Sequence, residues 1–416
     1  LGLSACMAAR QQALRPDDPY LGISQAPLRK VLPALVAVHH RLGGYLVREA
    51  CGLVPVPHTA AVVDYLRRNG PSVAPLTPAL ASPEALLDLD LSVGSPLVSS
   101  DPAQNEPVPL GERIAERLRA AGKTTAIGGY GEARLLYTEP AYRQGRLTDP
   151  QRSIHLGIDV SLSPGTPLHA PLDGVVHGFT DASARLDYGP MIVLRHRTDQ
   201  GVDFYSLYGH LSADSLEGLQ VGQRVARGSI FARVGSPPGN GDWWPHVHVQ
   251  LITDLLDVAV NVDGACLPAR RGTWMSLCPD PDWILRPARA AAGTPAPPSL
   301  LQRRQRIGAN VRLSYASQPL QVVRGRGAYL YHQYGRTYID GYNNVPHVGH
   351  GHPAVVAAVS EQLALLNTNT RYLQHQLLDY AEALCAQFPA ELDTCFFVAS
   401  GSEANELALR LARCAS

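Results

Sequence analysis

Five side chains between positions 155 and 248 have the types and spacing to hold and use a metal ion. His155-Leu-Gly-Ile-Asp159 sets an imidazole and a carboxylate four residues apart. Alternation along one strand would place both on the same face, two pleats apart. His246-Val-His248 repeats the device at a spacing of two, and His210 lies between the pairs in Tyr208-Gly-His-Leu. Two histidines and one aspartate form a ligand set suited to zinc, and three protein ligands leave a fourth position open for water. Zinc can lower the pKa of that water to about 7 and polarise a carbonyl, while the spare histidines manage protons. A second chemical signal lies far downstream. The apolar run Cys395-Phe-Phe-Val-Ala reads as a strand, and Ser400-Gly401-Ser402 then opens a helical pattern. Backbone N–H groups at a helix N-terminus, with a serine hydroxyl beside them, can hold a phosphate dianion.

The first set resembles the LytM/lysostaphin-type zinc metallopeptidases, which cleave peptide cross-links of bacterial cell walls. The matching pieces arrive in family order: His155 to Asp159, Gly165-Thr-Pro-Leu-His-Ala-Pro-Leu-Asp-Gly174-Val-Val, Tyr208-Gly-His210-Leu, Val221 to Gly228, and Pro245-His246-Val-His248. The resemblance implies that His155, Asp159 and His248 ligate zinc. It implies that His210 and His246 orient the water and stabilise the oxyanion of a peptide or peptidoglycan-like substrate. One loop departs from the family. Gly235-Ser-Pro-Pro-Gly-Asn-Gly-Asp-Trp-Trp-Pro245 carries two tryptophans where small residues are usual, which would reshape or narrow the groove. Two other readings stand beside hydrolysis: a β domain that binds zinc without cleaving, and a recognition module whose binding survives chelation. His169, His177 and His196 hold no motif position and read as ordinary loop or strand residues.

The second set resembles the phosphate cup of class III aminotransferases, which use pyridoxal phosphate. Gly401 and Ser402 would be its cofactor-binding residues. Tyr338-Ile-Asp340-Gly-Tyr-Asn-Asn-Val345 and Gly349-His350-Gly-His352-Pro353 match the same family upstream, so His347, His350 and His352 read as turn chemistry rather than a metal site. That cofactor also needs a Schiff-base lysine and an acidic partner for its ring nitrogen. No lysine occurs from Gln302 to Ser416. Transaminase activity is therefore expected of a longer parent protein, with homodimerisation through this part, and not of the chain alone. A third, shorter resemblance links Arg15-Pro-Asp-Asp-Pro-Tyr20-Leu-Gly-Ile-Ser24 and Arg48-Glu-Ala-Cys51-Gly52 to a helical tail of the aminoglycoside-phosphotransferase-like kinases. It brings no kinase motif and implies no kinase activity.

The elements that must position these groups follow from punctuation and period. Leu28, Leu32, Leu35 and Val36, behind a Ser24 cap, predict one helix, and Val62, Val63 and Leu66 a second. Residues 71–149 are rich in Pro, Ser and Leu and predict a linker with one connecting helix, Glu112 to Ala121. Across 150–285, short apolar runs alternate with Gly and Pro, the pattern of an antiparallel β domain. Residues 286–300 form a second linker, and 301–416 read as β-rich at first and then as α/β. The expected fold class is multidomain α+β: a helical remnant over 1–70, an antiparallel β domain, and a truncated α/β transferase portion.

Composition narrows the function classes. The 416 residues are 45% hydrophobic and 17% charged, so a sizeable core is available. Thirty-six basic residues balance thirty-six acidic ones, leaving no global field to draw nucleic acid or an anionic membrane. Seven scattered cysteines without a C-x-x-C pair, no apolar run of spanning length and no basic-then-apolar leader predict a cytoplasmic protein with reduced thiols. Both ends read as cut from something longer.

Overall fold

The computed structural model describes residues 10–19 and 38–415, apart from 100, 138–141, 143–144, 147, 183, 294–298, 305, 308–312, 314–318, 343–346 and 370. The expected helix around Leu28 to Val36 and the segment Tyr20 to Ser24 lie outside the described residues. The chain divides into two units, Leu1–Gly351 and His352–Ser416.

The first unit holds fifteen described strands: β1 Leu86–Leu89, β2 Thr125–Gly128, β3 Ile154–His155, β4 Ile158–Ser161, β5 Pro167–His169, β6 Gly174–Ala182, β7 Gly189–Arg197, β8 Asp203–Gly209, β9 Arg224–Val225, β10 Ile230–Arg233, β11 His246–Ile252, β12 Ala265–Cys266, β13 Val322–Arg326, β14 Tyr329–His332 and β15 Thr337–Ile339. Eight of them form one sheet in the order β1-β2-β4-β11-β8-β7-β6-β9. β1 and β2 run parallel, and every later neighbour pair in the sheet is antiparallel. Strand β11 shows how the sheet is built. Val247, Val249 and Leu251 pack on one face with Ile158, Val160, Ile192, Leu194, Phe204 and Tyr208, against Val62 and Leu66 of the helix Thr59–Asn69. His246, His248 and Gln250 alternate onto the other face, and all seven residues of the strand are buried. Period-two sequence thus separates an apolar core from a polar interior that only a functional site would justify.

Two expectations about elements are corrected. The single early strand over 155–159 is two strands: β3 pairs with β12, while β4 joins the main sheet. The chain turns at Leu156-Gly157 because a glycine there is the only residue that fits, as shown below. The segment expected as a linker over 71–149 instead supplies β1, β2 and the helix Pro107–Ala120, with Leu89, Leu110, Ile114 and Ala126 buried alongside Trp243 and Trp244. Pro78, Pro102 and Pro107 stand at helix starts, where they are tolerated, so a Pro-rich composition conceals strands that the sheet recruits.

β13–β15 form their own antiparallel sheet, which packs within the first unit. Arg324 donates from Nε to the Val93 carbonyl at 2.8 Å and from a guanidinium nitrogen to the Ser95 carbonyl at 2.5 Å. Tyr331 is buried in the cluster containing Val93, Ile154 and Trp274.

In the second unit the helices Pro353–Leu365, His375–Cys385 and Gly401–Ala415 carry no buried residue. The expected strand over 395–399 is not formed: these residues pair with no strand among the described residues. A lone extended run leaves its backbone groups without ladder partners, so propensity alone does not make it a strand.

Candidate metal centre

Sheet register assembles the site. Asp159 on β4 stands directly opposite His248 on β11, and His248 stands opposite Gly209 at the end of β8. One cross-strand row therefore carries a carboxylate and an imidazole, and delivers His210 one residue beyond the row. His210 has a left-handed backbone with φ of 61°, a conformation that turns its ring back over the strand ends. His155 enters from β3, just before the kink.

The approach is close. His155 Nε2 lies 2.9 Å from His248 Nδ1 and 3.3 Å from Asp159 Oδ1, and His248 Nδ1 lies 3.1 Å from the same Oδ1. Two ligands on a tetrahedral zinc with bonds of about 2.0–2.1 Å stand roughly 3.3–3.4 Å apart. The triangle matches that size with slight expansion, and all three residues are buried. The residues present fit zinc.

Hydrogen bonds assign the tautomers. His248 Nε2 faces Gln250 Oε1 at 3.0 Å, so it carries the proton and leaves Nδ1 free as a ligand. Gln250 is itself oriented by donating to the Asp263 carbonyl and the Cys278 sulfur, both at 3.2 Å. His210 Nδ1 donates to the Asn240 carbonyl at 3.0 Å and His246 Nδ1 to the Trp244 carbonyl at 2.7 Å. Both present an unprotonated Nε2, and the two rings lie 4.4 Å apart. Burial pushes the His155 pKa down to about 3, with the Arg134 guanidinium adding to the effect. Burial likewise lowers His210 and His246, so the imidazoles are neutral lone-pair donors. For Asp159 burial acts upward, yet His155 and Arg134 hold its carboxyl well below the usual range.

Glycines give the motif its shape. A Cβ on Gly157 would lie 2.5 Å from the His248 ring and 2.6 Å from the Val249 carbonyl. A Cβ on Gly209 would meet the Tyr188 ring at 2.6 Å. The tryptophans, expected at the groove mouth, are both about 5% exposed. Trp244 stacks on His246 with centroids 4.5 Å apart and donates from Nε1 to Ser161 Oγ at 3.2 Å. Trp243 meets His210 edge-on. They are walls of the site. The site opens into a cleft of about 260 Å³, lined also by Tyr137, Tyr142, Arg152, Asp187 and Asp263.

All five predicted side chains converge. Sequence reasoning missed Arg134, which is 2% exposed and donates to Asp159 Oδ2 at 2.5 Å. It also missed Glu132, which receives the same guanidinium at 2.8 and 3.0 Å, and Gln250. Gln250 was reachable by extending the His-x-His alternation by one step. Arg134 leaves no such signal. His169, His177 and His196 lie on β5, β6 and β7 and are not among the residues lining the cleft. Gly401 and Ser402 occupy the exposed first turn of the helix Gly401–Ala415. There the Ser400 hydroxyl accepts from the Glu403 N–H at 3.2 Å, and the Glu403 carboxylate accepts from the Ala399 N–H at 2.8 Å. The two bonds cap the helix start, the carboxylate reaching one residue further back than in a capping box.

Two stretches of the chain match models of known families. Residues 153–261 match the model of peptidase family M23, and residues 312–416 match that of aminotransferase class III. An alanine–glyoxylate aminotransferase 2-like protein of Drosophila melanogaster is 51% identical over 111 residues, 27% of this chain and 22% of the relative. An ethanolamine-phosphate phospho-lyase homologue of Caenorhabditis elegans is 46% identical over 114 residues, 27% of this chain and 24% of the relative. The chain thus spans less than a quarter of the length of these relatives. The catalytic domain of lysostaphin from Staphylococcus simulans is 27% identical, with a TM-score of 0.20, covering 28% of this chain and 77% of that structure. Neither family model reaches residues 1–70, so the phosphotransferase-like tail remains an expectation from its residues alone.

Proposed function

We propose, from the match to peptidase family M23 and the ligand triangle within it, that the protein is a zinc-dependent hydrolase of peptide bonds. The observation that carries this reading is the convergence of His155 Nε2, Asp159 Oδ1 and His248 Nδ1 within 2.9–3.3 Å of one another, beside two neutral histidines with free Nε2 atoms. Zinc held by the three would supply a Lewis acid for the scissile carbonyl and acidify a water. The chain's own contribution is positional. Gln250 holds the His248 tautomer, the Asn240 and Trp244 carbonyls aim the Nε2 atoms of His210 and His246, and the two tryptophans exclude bulk water. One of His210 and His246 would accept the proton of the attacking water at its free Nε2 and return it to the leaving amine, while the other orients the water. The substrate class is a cell-wall-like peptide bound in the cleft beside Trp243.

The test uses the full chain. Metal analysis should find about one zinc, lost in His155→Ala and Asp159→Ala. Zinc-loaded protein should release new amino termini from cross-linked cell-wall peptides. His246→Ala should keep the metal and lose roughly 10²–10⁴-fold in rate. A chain that folds but takes up no zinc overturns the proposal.

A second reading concerns a longer parent protein. The 51% identity over residues matching aminotransferase class III favours a pyridoxal-phosphate enzyme there, dimeric through that part, with Gly401 and Ser402 at the phosphate. This chain offers no lysine beyond Lys123 and does not fit the Schiff-base half of that chemistry. We place the protein in the cytoplasm; among the described residues no helix is long and apolar enough to cross a membrane.

A further inference from the structure

We infer that Arg134 and Glu132, which lie outside the stretch matching peptidase family M23, set the metal affinity of the site. Arg134 serves as a built-in counter-cation and Glu132 as its offset. The inference rests on the zinc reading above and concerns how strongly the ion is held.

The two oxygens of Asp159 are divided between two jobs. Oδ1 faces His155 and His248 within the ligand triangle, and Oδ2 accepts from Arg134 at 2.5 Å. Arg134 reaches this position from the segment after β2, and Gly128, the last residue of β2, makes room: a Cβ there would lie 3.2 Å from the guanidinium. Its other nitrogens donate to Glu132 Oε2, while Glu132 Oε1 accepts from the backbone N–H groups of Gly129 and Leu91 at 3.2 and 3.3 Å. Nothing in this network involves solvent-exposed groups, because Arg134 is 2% exposed and the Glu132 side chain 11%.

Arginine cannot shed its charge on burial, so a fixed positive charge stands beside the position a dication would occupy. In the absence of metal this satisfies the buried Asp159 carboxylate and keeps the triangle assembled. In its presence the same charge repels the ion. At an effective dielectric of about 20 and a separation of a few ångströms, that repulsion exceeds the ~1.4 kcal/mol equivalent to a tenfold change in binding. Asp159, Glu132 and Arg134 sum to a net charge of −1. Removing the cation makes the cluster −2, and neutralising Glu132 makes it 0. The two changes must therefore move affinity in opposite directions.

The experiment measures zinc affinity of the full chain by competition with a chromophoric chelator, alongside Tm with and without zinc. Arg134→Met should bind zinc at least tenfold more tightly, with a lowered metal-free Tm that zinc restores. Glu132→Gln should bind about fivefold or more weakly. Arg134→Lys, which keeps the charge, should stay within about threefold of the parent. Unchanged or same-direction shifts in Arg134→Met and Glu132→Gln overturn the inference, as does Arg134→Lys behaving like Arg134→Met. If Arg134→Met fails to fold even with zinc, the shift in Glu132→Gln decides: weaker binding supports the inference and unchanged binding overturns it. A parent chain that binds no zinc instead overturns the hydrolase reading itself.

Discussion

At the scale of single residues, the site is written as five side chains that carry chemistry and several that only make room. Gly157 belongs to the second kind. Any Cβ there meets the His248 ring and the Val249 carbonyl at about the same distance, and a backbone carbonyl in a strand cannot give way cheaply. Gly157→Ala should therefore lower stability by about 1–3 kcal/mol and weaken zinc binding about tenfold. Denaturant melts and zinc titration of the variant check both. His246 and His248 were legible because they differ by two along one strand, whereas His155 and Asp159 lie on β3 and β4 and it is sheet register that sets Asp159 against His248. Arg134 was not legible, because it stands 25 positions from Asp159 in sequence and their pairing depends on a sheet neighbour, β2, hidden in a proline-rich segment.

At the scale of elements, alternation in β11 is the feature that separates core from site, and the sequence displayed it openly. The tryptophan loop before that strand was harder to read. Two large aromatics next to an unusual loop suggest a surface feature. Yet Trp244 is held between the His246 ring and the helix Pro107–Ala120, whose Gly111 would place a Cβ 3.0 Å from the Trp244 Cβ. Trp244→Ala should open a cavity costing about 3–5 kcal/mol. It should leave zinc stoichiometry unchanged, since it touches none of the three ligands. A drop in Tm with full zinc occupancy is the expected result; loss of zinc would mean that the wall also fixes the ligands. The expectation of a strand over 395–399 failed for the converse reason. Its residues have the right propensity, but a strand exists only through its ladder.

At the scale of the whole molecule, buried neutral histidines tie stability to pH. His196 lies away from the metal centre. It donates from Nδ1 to the Asp173 carbonyl at 2.8 Å and accepts at Nε2 from the Ser206 hydroxyl at 2.7 Å, and burial lowers its pKa to about 4. The unfolded chain binds this proton below about pH 6.5, whereas the folded chain binds it only near pH 4. The unfolded state thus carries more protons in that window, and stability must fall as pH drops through it. Melting the metal-free protein between pH 7 and 4 should show this loss, and His196→Gln should flatten the slope. Motifs marked the two stretches that match family models, but not the division at Gly351, because β13–β15 pack within the first unit. The role of residues 71–149 was not, because turn-forming composition says nothing about which strand edge a segment will cover.

That coverage has a practical consequence for anyone trimming the gene. Starting expression at residue 153, where the family match begins, would strip β2 from β4 and leave a bare row of hydrogen-bonding groups beside Asp159. Such a fragment would offer its freshly opened border to other copies, and its aspartate would sit in a different electrostatic neighbourhood. Assays on that minimal piece would report on an altered site, and a faithful product should begin no later than the helix Thr59–Asn69, which covers the sheet's apolar face.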